Sequence, residues 1–75
     1  MNITEAEFRY MKEMLAKDVI AMLMEKRGMD IHQAFRSYYG SKTYSNISNP
    51  ATGLYYQSPG YIYSYLDEEL EANAD

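Results

Sequence analysis

The chain contains no cysteine and a single histidine, His32, in 75 residues, so a disulfide staple is excluded and a metal staple of the zinc kind nearly so. A chain of this length buries only about 60% of the surface its unfolded form exposes, which leaves its core marginal. Small scaffolds without staples depend on tightly packed helices or on association with further copies. The pattern of apolar residues must therefore supply the fold, and the length allows one domain over residues 1–75.

That pattern is helical. Thr4 and Glu7 form a capping box that starts a helix. Phe8, Met11, Leu15, Val19, Met22 and Leu23 then recur at three- and four-residue spacing as one apolar stripe. Gly28 ends the helix, after Lys26 and Arg27, whose charges suit its C-terminus. Tyr10, Met14, Ile20, Ala21 and Met24 lie off the stripe, more apolar width than one core needs. Of these, Tyr10, Met14, Ile20 and Met24 are the candidate self-association residues. At about 1.5 Å per residue a helix over 5–27 is roughly 35 Å long. A compact chain of this size is roughly 30 Å across, so part of the helix should overhang and a second copy should cover it.

Asp30 and Gln33 repeat the capping box and open a shorter helix with Ile31, Ala34, Phe35 and Tyr38 as its apolar face, closed by Gly40. Ser41 caps one more turn through Tyr44, with Ile47 beneath it. Asn49-Pro50-Ala51-Thr52-Gly53 is a turn in which Gly53 takes the positive φ, and Leu54 to Gln57 reads as a short extended segment. Ser58-Pro59 starts a last helix that runs to about Ala72. Its inward face is predicted to hold Tyr61, Ile62, Tyr65, Leu66 and Leu70, with Tyr63 to the side. The acids from Asp67 to Glu71 stand at the wrong end of this helix for its dipole, and that half should fray unless packed. The fold class is all-α: a small bundle of a long N-terminal helix, a short second helix, a turn-rich connector and a C-terminal helix.

Nine tyrosines are present, eight of them after position 37. Tyrosine joins a large apolar ring to a hydroxyl, a combination suited to cores that meet polar groups and to interfaces. Tyr44, Tyr55, Tyr61 and Tyr65 are expected to build the core. Tyr55, Tyr56, Gln57 and Tyr63 form the candidate surface for a partner or ligand, since adjacent Tyr55 and Tyr56 point to opposite sides if extended.

Several chemistries find no support. All seven basic residues precede position 43 and no basic stripe exists, so nucleic acid is not an expected partner. A helix-turn-helix over 10–39 would offer only Gln33 and Arg36 to bases. No apolar run is long enough for a membrane span, and no signal segment opens the chain, so a cytoplasmic protein is expected. The acids after position 66 read as a solvated helix end, or as an attraction for a basic protein partner. Tyr38-x-x-x-Lys42 has the spacing of a catalytic tyrosine–lysine pair, but Gly40 interrupts the turn and no dinucleotide fingerprint accompanies it. His32 has no companion ligands. No enzyme activity, cofactor or metal is expected.

Ser41-Lys42-Thr43-Tyr44, then Thr52-Gly53-Leu54-Tyr55, Gln57-Ser58-Pro59 and Tyr61, make a specific connector. With Gly28-Met29-Asp30-Ile31, Ala34 and Phe35 before it, the pattern resembles a family of short bacterial proteins of unknown function, the domain of unknown function 3791 type, over nearly the whole chain. The resemblance implies a small non-enzymatic protein, with an antitoxin-like or accessory role beside toxin-like ADP-ribosyltransferases. The expectation is a protein-interaction module that forms a homo-oligomer through its first helix and binds a further, unidentified protein. The alternative is a regulatory module with a tyrosine-lined small-ligand pocket.

Overall fold

The computed structural model describes residues 3–74. Among them there is no strand: helices α1 (Glu5–Arg27), α2 (Ile31–Tyr39), α3 (Lys42–Ile47) and α4 (Pro59–Asn73) follow in order, with two single 3-10 turns, Pro50–Thr52 and Leu54–Tyr56, between α3 and α4. The all-α expectation holds, and the helix starts lie where the caps place them. Thr4 Oγ1 accepts from the Glu7 amide at 3.1 Å while Glu7 Oε1 accepts from the Thr4 amide at 2.9 Å. Asp30 and Gln33 repeat that exchange at α2. Ser41 and Ser58 each accept from the amide three residues on. Gly28 and Gly53 take φ of 68° and 71°, which a β-carbon would strain.

Leu15, Val19 and Leu23 run down the inward side of α1 and meet Ala34 and Tyr38 of α2, Ile47 of α3, Tyr55 of the connector, and Ile62 and Leu66 of α4. Both α2 and α4 pack on α1. The molecule is elongated, 40 by 21 by 18 Å, because it follows its longest helix. The overhang expected from a compact globule is therefore corrected. Phe8 near one end of α1 meets Tyr55 edge-on at 5.0 Å, and Arg27 at the other end is held by α4.

Two further expectations change. Leu54 to Tyr56 is a 3-10 turn, not an extended segment, because Gly53 turns the chain and the Gln57 amide closes on the Leu54 carbonyl at 3.0 Å. The inward face of α4 is Ile62 and Leu66, with Tyr63 and Leu70 beside them, whereas Tyr61 and Tyr65 are exposed. Five apolar side chains span nearly half the circumference of that helix, and only the side turned to α1 is covered.

The acidic half of α4 is exposed at its end, but three of its carboxylates are held by other helices. Arg27 Nε and Nη2 both donate to Asp67 Oδ1, at 3.2 and 2.9 Å, and Nη2 also donates to Glu71 Oε2 at 2.7 Å. Glu69 reaches the start of α3, accepting from the Lys42 and Thr43 amides at 2.8 and 2.9 Å and from Thr43 Oγ1 at 2.8 Å. A carboxylate from another helix thus satisfies orphan donors of α3, next to the cap that Ser41 supplies.

Candidate interaction surfaces

Tyr55 is a core residue that also lines the trough between α1 and the connector. It is 3% exposed, and its ring is stacked on that of Tyr56 with centroids 5.1 Å apart and planes 20° apart. The 3-10 turn places the two rings side by side where an extended strand would have sent them apart. Tyr56 is 55% exposed, resting on a buried neighbour. It joins Gln57 and Pro59 on one wall of a trough of about 200 Å³ whose other wall is Tyr10, Met11, Met14 and Asp18 of α1. Residues expected at two separate surfaces, Tyr10 and Met14 for self-association and Tyr56 and Gln57 for a partner, are therefore neighbours.

The other candidates lie elsewhere. Ile20 is 5% exposed and packs chiefly in the core, with only its outer edge reaching the surface beside α2. Met24 is exposed but does not line the trough. Tyr63 is half-buried against the core with the Lys26 ammonium 6.0 Å above its ring, and it belongs to the seam between α1 and α4.

A second apolar face was not legible in the sequence. The expected inward face of α2 divides: Ala34 and Tyr38 enter the core, whereas Ile31, Phe35 and Tyr39 are 45%, 47% and 43% exposed. These three recur every fourth residue and form one ridge beside α1. Between ridge and α1 lies a trough of about 370 Å³, floored by Ala16 and Ile20 and edged by Glu13 and Lys17. The Phe35 and Tyr39 rings are 5.4 Å apart, and Tyr39 stands edge-on to Tyr44 at 5.0 Å. Partial burial, Tyr44 and the Glu13 carboxylate push the Tyr39 phenol above its ordinary pKa. The available signal was the density of apolar residues, five among the nine of α2, which exceeds what one buried side of a short helix accommodates.

Tyr38 is closed inside the core with its hydroxyl unpartnered among the described residues, and burial pushes its phenol far above the ordinary value. Lys42 is exposed in α3, beyond the break at Gly40, so the two do not share one helix. A third depression of about 340 Å³ is lined by Thr43, Asn46, Thr52, Leu54 and Tyr65. The Thr43 hydroxyl donates to Glu69 and that of Thr52 to the Asn46 and Asn49 carbonyls, so neither hydroxyl proton is free for a ligand. Tyr61 and Tyr65 share a 3.4 Å contact between hydroxyls, which raises the Tyr65 pKa. His32 is exposed, and no group of three potential metal ligands occurs among the described residues. No described helix is long and apolar enough to cross a membrane. Comparison with protein-family models, curated proteins and solved structures returns no match.

Proposed function

We propose that this chain is a small helical protein-interaction module that binds a partner protein through the trough between α1 and the connector. The observation that carries the reading is Tyr56: a large ring more than half exposed, held in place by stacking on buried Tyr55 and set beside Tyr10, Met14 and Gln57. Aromatic side chains backed by a packed core are the usual anchors of protein interfaces. The small-ligand reading has less support at Tyr56, because that trough, about 200 Å³, is below the roughly 300 Å³ at which ligand pockets begin. In the depression on α3 the Thr43 and Thr52 hydroxyl protons are already committed. The family resemblance adds that the partner is a neighbouring bacterial protein for which this chain is an antitoxin-like or accessory subunit.

The test pairs thermal melting with affinity capture from lysate of the native host, using the wild-type chain and Tyr56→Ala as baits. An interface tyrosine contributes about 2 kcal/mol, roughly thirtyfold in affinity. The expected result is an unchanged melt with partner capture lost. Unchanged capture would remove the trough from the binding surface. Tyr63→Ala serves as the contrast and should lower the melting temperature, since that ring is packed.

A further inference from the structure

We infer that the face formed by α1 and α2 seats a second copy of this chain, packed about a two-fold axis with Glu13 of each copy opposite Lys17 of the other. This surface is separate from the trough at Tyr56, and the inference does not rest on the partner-binding proposal.

Three observations select a second copy as the occupant. Ile31, Phe35 and Tyr39 leave nearly half of their surface in water on a helix of nine residues, and Ile20 and Ala16 continue the apolar strip beneath them. Met24, one helical turn beyond Ile20, is also exposed and extends the strip along α1. Contiguous exposed apolar surface of this kind marks an interaction site in a small protein.

The second observation is charge. Glu13 and Lys17 edge the same trough one turn apart, and neither forms an ion pair among the described residues. An acid and a base on one edge are self-complementary: a two-fold operation turns them into two reciprocal pairs. Three acids of α4 are engaged within the chain, Asp67 and Glu71 by Arg27 and Glu69 by the start of α3. The third is area. With extents of 40, 21 and 18 Å, a long side of the molecule projects roughly 700 to 800 Å², about what each partner buries in a standard interface. A dimer covering most of this side would reach that size.

The experiment measures mass by light scattering behind size exclusion, with helical circular dichroism as the folding control. Wild-type chain at about 100 µM should give twice 8.7 kDa. Glu13→Lys and Lys17→Glu should each give 8.7 kDa alone, because each sets like charges against each other. An equimolar mixture of the two should return to twice that mass, since every facing pair is then opposite in sign. Phe35→Ala should give the monomer mass and Tyr56→Ala the dimer mass. The charge variants decide the matter even if Phe35→Ala impairs folding, since both charged side chains are exposed. A wild-type mass of 8.7 kDa, a dimer that persists in Glu13→Lys, a mixture that stays monomeric, or a dimer abolished by Tyr56→Ala would each overturn the proposal.

Discussion

Tyr38 combines a ring at the centre of the core with a hydroxyl that finds no partner among the described residues. A buried donor left unsatisfied costs roughly 1 to 3 kcal/mol, so Tyr38→Phe is expected to stabilise the fold by about 1 kcal/mol, read as a higher melting temperature. The same burial sets a pH dependence. The folded phenol has a raised pKa, so its contribution is complete below the unfolded value near 10 and is lost as pH rises above it. Wild-type stability should therefore fall in the alkaline range more steeply than that of Tyr38→Phe. Gly53 illustrates the opposite kind of residue, one whose role is local. At φ 71° with open space around it, its conformation alone disfavours a side chain. Gly53→Val should cost more than about 1 kcal/mol in thermal or urea unfolding.

α3 depends on Glu69 from α4, 26 residues away from Thr43 in sequence. Burial pushes the Glu69 pKa up, but hydrogen bonds from the Lys42 and Thr43 amides and the Thr43 hydroxyl outweigh it and hold the carboxyl below its ordinary value of 4.5. A lowered folded pKa contributes stability that is present above the unfolded value and lost as pH falls. Glu69→Ala should cost about 1 to 2 kcal/mol at neutral pH, the scale of a lost helix cap. That difference from wild type should shrink in urea unfolding as the pH is lowered below about 4.5. Glu69 also explains what could be read from the sequence and what could not. The starts of all four helices were legible because Thr4, Asp30, Ser41 and Ser58 act on amides within three residues. The fate of the acidic stretch was not, because Asp67, Glu69 and Glu71 find their partners 26 to 44 residues away. Which side of α4 turns inward was hidden for the same reason: Ile62 and Leu66 are selected over Tyr61 and Tyr65 by their contact with α1, not by their own spacing.

At the scale of the whole molecule, the core is narrow and the long helix is covered on one side, so several large apolar side chains stay in water. The sequence already showed this excess on α1, and Tyr10, Met14 and Met24 are indeed outside. It placed Ile20 outside as well, and it assigned Ile31 and Phe35 to the core, because a periodic pattern shows that a helix has an apolar side but not how far a neighbour covers it. Association, first with a second copy, is the role proposed for this uncovered surface. Sedimentation equilibrium of the wild-type chain across a range of about 1 to 100 µM reads this association, which obeys mass action. The weight-average mass should rise with concentration from 8.7 kDa towards twice that value, and a constant 8.7 kDa throughout would mean that the chain does not self-associate.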